Sequence, residues 1–148
     1  MKLAVIDGLG GGLGCQIIDN LIKELGDSVE ITALGINSGA TFNMLKYGAH
    51  RGASGANAIR VNLKDMDIIV GPLGIVIPDS MMGEVTADIA ATVAESSAKK
   101  FLLCINQPHV ELVEVEKQPV AVLIKKLIGR IKEYIQMNKK SDDQATIE

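Results

Sequence analysis

Apolar residues in this chain fall into short unbroken runs that alternate with stretches of helical periodicity. Residues 3–6 (Leu-Ala-Val-Ile) form the first run, the pattern of a strand buried on both faces, and it stops at Asp7 and a cluster of glycines. Leu13, Ile17, Ile18, Leu21, Ile22 and Leu25 then recur at helical spacing up to Gly26. Residues 29–34 read as the next strand. Strand, turn, helix and strand within about 30 residues make a βαβ unit, right-handed in nearly all cases. A second helix is expected from Ser38 to Tyr47, capped by Asn37 or Ser38 and stopped by Gly48.

The second half is less regular. Residues 48–57 read as a flexible polar loop, 58–63 as a short strand, and 67–70 as a clearer strand closed by Gly71, Pro72, Leu73 and Gly74. Residues 75–77 read as extended, 86–96 as a helix, and 101–105 as a buried strand. Residues 110–115 (Val-Glu-Leu-Val-Glu-Val) alternate apolar and acidic, as an edge strand with one wet face does. Pro119 opens a final helix whose stripe runs through Val120, Leu123, Ile124, Leu127, Ile128, Ile131, Tyr134 and Ile135. The pattern predicts an α/β fold, a Rossmann-like three-layer sandwich with a mostly parallel sheet and an antiparallel edge strand at 110–115. One domain is expected over residues 1–138, and residues 139–148 read as a charged flexible tail.

Composition removes several function classes. Aromatics are 3% with no Trp, too few for the stacking platforms of a single-stranded nucleic-acid binder. Net charge is -3, so no basic field exists to hold a phosphate backbone. Cys15 and Cys104 cannot build a disulfide framework or a four-cysteine zinc site, and His50 and His109 lie far apart, so no metal site is expected. Free thiols, the absence of a leader pattern and the absence of any apolar run of membrane-spanning length predict a cytoplasmic protein without membrane contact.

The chemistry-bearing feature is the turn after the first strand, where Gly8, Gly10, Gly11, Gly12 and Gly14 put five glycines into seven residues. Glycine lets a ligand touch backbone without a Cβ in the way, and the following helix offers unpaired N–H groups and a partial positive charge. Such a turn predicts a small anionic ligand, a phosphate or pyrophosphate. The G-x-G-x-x-G spacing fails at Leu13 or at Cys15, and the P-loop pattern lacks its Lys-Ser or Lys-Thr. The spacing G-x-x-x-G-x-G fits Gly8, Gly12 and Gly14, and resembles the nucleotide turn of short-chain dehydrogenases. NAD(P) or another phosphate-containing nucleotide is therefore the expected cofactor. The second strand ends without the acid that a free ribose favours, leaving Asn37 and Ser38 as hydroxyl partners.

Ligands in open α/β sheets sit at the carboxyl ends of the strands, so one crevice should collect Gly8 to Gly14, Asn37 to Thr41, Gly71 to Glu84 with Ser80, and Asn106 to His109. Arg51 could reach in as an anion clamp, though an exposed, solvated arginine is the slightly favoured reading. Asp7 beside the glycines reads as structural. Cys15 in the first helical turn is a thiolate candidate, though a small buried residue is the commoner reading. Asp79 and Glu84 are a conceivable acid–base pair, though loop and cap chemistry is the favoured reading. No catalytic constellation is recognisable: neither Tyr47 nor Tyr134 is followed by Lys four residues on.

Three stretches together resemble one family. They are residues 4–12, residues 51–58 with their Arg-Gly-Ala-Ser-Gly core, and residues 71–84 with Gly71-Pro72, Pro78, Ser80-Met81 and Gly83-Glu84. They look like the small bacterial proteins, frequent in anaerobes, grouped as domain-of-unknown-function family 3842, over residues 1 to 130 or so. The resemblance implies a Rossmann-like bacterial protein and transfers no catalytic residues. Members tend to carry a long polar residue at the position of Cys15, which weakens a catalytic role for it. The leading expectation is a nucleotide- or phosphometabolite-binding protein. A small NAD(P)-dependent oxidoreductase and a non-catalytic structural or partner-binding subunit are the alternatives. The stripe of the last helix and the Met81-Met82 pair further predict a homodimer or a dimer of dimers.

Overall fold

The computed structural model describes residues 1–145. Five strands, β1 (Lys2–Asp7), β2 (Glu30–Gly35), β3 (Arg51–Ser54), β4 (Ile68–Pro72) and β5 (Lys99–Leu103), form one parallel sheet in the order β3-β2-β1-β4-β5. The helices are α1 (Gly12–Leu25), α2 (Ser38–Lys46), α3 (Ala56–Asn62), α4 (Ala87–Glu95) and α5 (Val120–Ala145). The sheet order reverses between β1 and β4. That reversal puts the topological switch point directly above the glycine turn.

Unbroken apolar strands need cover on both faces, and they receive it. Leu3 and Val5 of β1 face α1, α2 and α5, while Ala4 and Ile6 face α3 and α4. The α5 stripe is largely spent inside the chain: Ile124, Leu127, Ile128, Ile131 and Ile135 are all buried against the α1 side of the sheet. Among described residues, no helix is long and apolar enough to cross a membrane.

Four local readings are corrected. Residues 58–63 are helical rather than extended: Ile59 and Leu63 are buried four residues apart, while Arg60 and Val61 are exposed. The period is that of a helix, and the short apolar run concealed it. β3 lies inside the segment expected to be a loop. It is an edge strand hydrogen-bonded to β2, with Arg51, Gly52 and Ser54 exposed, so no hydrophobic run announces it. Residues 110–115 form no strand, and the antiparallel edge is absent from the sheet of described residues. Glu114 takes a left-handed φ of 67°, and turns closed by Val110 N–H to the Gln107 carbonyl and Val115 N–H to the Leu112 carbonyl replace the extended course. Ile75 and Val76, read as extended together with Ile77, belong instead to a 3-10 turn over Leu73–Val76. At the far end, α5 continues through Ala145, past Lys139 where the tail was expected; residues 146–148 lie outside the described residues.

Candidate functional site

The end of β1 is held by its own last side chain. Asp7 is 5% exposed, and its carboxylate accepts the N–H of Gly8 and of Gly14, both at 2.8 Å. The N-cap position of α1 is Gly11, which has no side chain to cap with, so Asp7 supplies the missing acceptor from below. Burial pushes the Asp7 carboxyl above its ordinary range; the two backbone bonds pull it back, and the charge of Glu84 adds to the rise.

The five glycines divide by task. Gly11 has φ +72° and a Cβ there would lie 2.9 Å from the Ala40 carbonyl oxygen, so both conformation and space demand glycine. Gly8 and Gly14 lie against neighbours: added Cβ atoms would meet Met81 Sδ at 2.8 Å and Met44 Sδ at 2.5 Å. Gly10 and Gly12 differ, because a Cβ at either would meet nothing within 4 Å. Their freedom is on the cleft side. Among described residues, no group accepts a hydrogen bond from the N–H of Gly10, Gly12 or Leu13.

These three donors open onto a cleft of about 650 Å³, within the usual range of small-molecule sites. Its walls come from the glycine turn, from residues 72–82 after β4, and from residues 105–110 after β5. Apolar groups predominate, including Leu13, Ile77, Met82 and Ile105, with Asp79, Ser80, Asn106 and His109 as polar points. Five non-glycine residues of the lining, Leu9, Asp79, Met81, Met82 and Asn106, have φ between 51° and 64°. For the leucine and the methionines this conformation is strained, and such strain gathers at functional sites.

The segment after β4 also crosses to the far side of the turn. Glu84 accepts the N–H of Leu9 at 3.0 Å and the side-chain amide of Asn37 at 2.6 Å. The same Asn37 amide donates to the Leu9 carbonyl at 2.9 Å, and its Oδ1 caps α2 by accepting the Ala40 N–H at 2.8 Å. Asn43 donates to the Gly10 carbonyl at 2.9 Å, a third tie on the turn.

Of the residues singled out by sequence, Asp7, Gly8, Gly10, Gly11, Gly12, Asp79 and Ser80 line the cleft. Ser80 Oγ donates to the Gly74 carbonyl and so shapes the wall. Gly14 is packed beneath the turn. Asn37 is consumed by the ties just described, and Ser38 is exposed at the start of α2, outside the lining. Gly71 lies where an added Cβ would strike the Ile6 carbonyl oxygen, so it serves the approach of β4 to β1. Arg51 is not brought to the cleft. It starts β3, roughly 10 Å of strand short of the carboxyl edge, and faces Glu30 at 3.8 Å with its side chain 65% exposed.

Cys15 is buried, and burial together with the charge of Asp7 raises its thiol pKa, against the thiolate reading. His50 is structural: its Nδ1 accepts the Ile31 N–H at 2.9 Å. Glu84 is engaged with the turn rather than paired with Asp79. Among described residues, no three His, Cys, Asp or Glu side chains gather as a metal set. The ties made by Glu84 and Asn43 carry no signal in the sequence, because each spans more than thirty residues.

The family model for the Domain of unknown function (DUF3842) matches residues 2–136, and the chain belongs to that family. No curated protein matches the chain. Among solved structures, the chain is similar to a dodecameric FMN-dependent Ubix-like decarboxylase from Escherichia coli O157:H7. The two are 14% identical, with 92% of this chain and 95% of that one covered and a TM-score of 0.49.

Proposed function

We propose that this member of the DUF3842 family binds a phosphorylated small molecule, a nucleotide or phosphometabolite, with its phosphate on the N–H groups of Gly10, Gly12 and Leu13. The observation that carries the reading is the pairing of those three unpartnered donors with open space at the Cβ positions of Gly10 and Gly12. A helix N-terminus carries about half a positive charge, and backbone donors aimed at one point suit an anion. The nearby carboxylates do not occupy these donors: Asp7 is spent on Gly8 and Gly14, and Glu84 on Leu9 and Asn37.

A nicotinamide oxidoreductase finds less support. Neither tyrosine lines the cleft; Tyr134 packs edge-on against Phe101 with ring centroids 5.8 Å apart, and Tyr47 sits at the end of α2. The test is calorimetry and thermal shift against phosphate, pyrophosphate, AMP, FMN, NAD⁺ and NADP⁺. A true ligand at about 100 times its Kd stabilises by about 2.7 kcal/mol, which raises Tm by about 5–11 °C. Gly12→Val puts a branched side chain where the phosphate sits and removes that shift. If no compound stabilises the wild type, or Gly12→Val responds equally, the reading fails.

A further inference from the structure

We infer that the cleft takes a phosphomonoester bearing one apolar or aromatic body, a mononucleotide, and discriminates against dinucleotides; the inference rests on the phosphate reading given above. In an open sheet of this order a dinucleotide straddles the switch point. Its pyrophosphate lies on the glycine turn, one half extends over the end of β2, and the other over the ends of β4 and β5.

Here the β2 half is already filled by protein. Met81 Sδ and Ile36 Cδ1 both crowd Gly8 from that side. Glu84 reaches from beyond β4 to the Leu9 N–H and to Asn37. Asn37 stands at the end of β2, where a ribose hydroxyl would need a partner. It commits Oδ1 to the Ala40 N–H and its amide to the Leu9 carbonyl and Glu84. Neither Ile36, Asn37 nor Ser38 belongs to the cleft lining. Admitting a second nucleoside there means breaking three hydrogen bonds and placing the ligand beside the Glu84 charge. The β4–β5 side is open by contrast. Ile77, Met82, Ile105 and Pro108 offer an apolar slot, and Asn106 and His109 lie beside it. One phosphate on the turn and one ring system in that slot satisfy the geometry.

Calorimetry on the full chain compares AMP, nicotinamide mononucleotide and FMN with the dinucleotides NAD⁺ and FAD, with inorganic phosphate as the reference anion. At least one mononucleotide is expected to bind roughly tenfold tighter than either dinucleotide. Glu84→Ala releases Asn37 and Leu9 and should narrow that ratio by improving dinucleotide binding. Glu84→Gln, which keeps an acceptor for the Leu9 N–H, serves if the alanine variant does not fold. A dinucleotide that binds the wild type as tightly as the best mononucleotide, with Gly12→Val abolishing both, overturns this inference and leaves the phosphate reading standing. Binding of none of these compounds overturns both.

Discussion

Replacing Asp7 by Ala tests the foundation of the glycine turn. The wild-type carboxylate is buried and takes two backbone donors at 2.8 Å, one at the end of β1 and one in the first turn of α1. Alanine leaves both N–H groups buried without a partner, at about 1–3 kcal/mol each. It also removes the cost of burying the carboxyl, which the raised pKa records and which opposes the first term. Two lost acceptor contacts against the relief of one buried acid leave a net loss of about 3 kcal/mol. For a chain of this length that lowers Tm by about 6–12 °C. The pH dependence supplies a second readout. Because native Asp7 holds its proton to a higher pH than the unfolded chain does, the native state binds more protons between the two pKa values. Its contribution is therefore fully present below the unfolded carboxylate pKa and declines as pH rises through the raised one. The gap between wild type and Asp7→Ala should be widest in acid and narrow toward neutrality. Thermal and urea unfolding from about pH 3 to 8, a range that starts below the ordinary Asp value, measure it. A variant that melts within about 1 °C of wild type throughout, or a gap that widens with rising pH, refutes the reasoning.

Three other outcomes follow from the same geometry. Gly71→Ala drives a methyl into the Ile6 carbonyl oxygen between two central strands and should cost about 2 kcal/mol or more, whereas Gly10→Ala and Gly12→Ala, which meet nothing, should stay within about 0.5 kcal/mol of wild type in denaturant unfolding. Iodoacetamide at neutral pH should modify the half-buried Cys104 and spare the buried Cys15, whose thiol pKa is raised by burial and by Asp7; equal labelling by mass spectrometry contradicts the assignment. Self-association is still expected, as a homodimer or a dimer of dimers, but through Met82, 93% exposed, the exposed Phe42 of α2 and Tyr47 just after it rather than through α5; a monodisperse 15.7 kDa species in light scattering, or oligomers indifferent to both Met82→Lys and Phe42→Lys, counts against it.

The fold was legible where burial is strongest. β1 and β4 are buried from end to end after their first residues, and only a parallel sheet covered on both faces makes such runs. The α1 and α5 stripes showed themselves by period, and the α2 cap was narrowed to Asn37 or Ser38, of which Asn37 is the cap. The errors share one cause. β3 exists because β2 offers a free edge, and α3 exists because a right-handed crossover must return the chain to β4. Both are dictated by tertiary surroundings: β3 carries no hydrophobic run, and the single helical repeat of α3, Ile59 to Leu63, is hidden in a short apolar run. Residues 110–115 illustrate the converse. Alternation is present, but an edge strand also needs a neighbour to pair with, and Glu114 in the left-handed region breaks the extension.

The site was legible by half for a related reason. A glycine cluster between strand and helix advertises that something must come close to backbone, but not which glycine serves packing and which serves a ligand. That division depends on Ala40, Met44 and Met81, whose positions relative to the turn come from other elements. The same holds for the acids. Asp7 beside the glycines reads as structural from sequence, because a free carboxylate there would repel an anion. In the structure that carboxylate lines the cleft but is bonded to the N–H groups of Gly8 and Gly14, while those of Gly10, Gly12 and Leu13 have no partner among described residues. Glu84 ties the turn to the end of β2 through Leu9 and Asn37, as Asp7 ties Gly8 to Gly14. On the proposed reading, selectivity arises from the same bonds that hold the loop. Any substitution that loosens the turn at Glu84 should alter which ligands enter before it alters whether the chain folds.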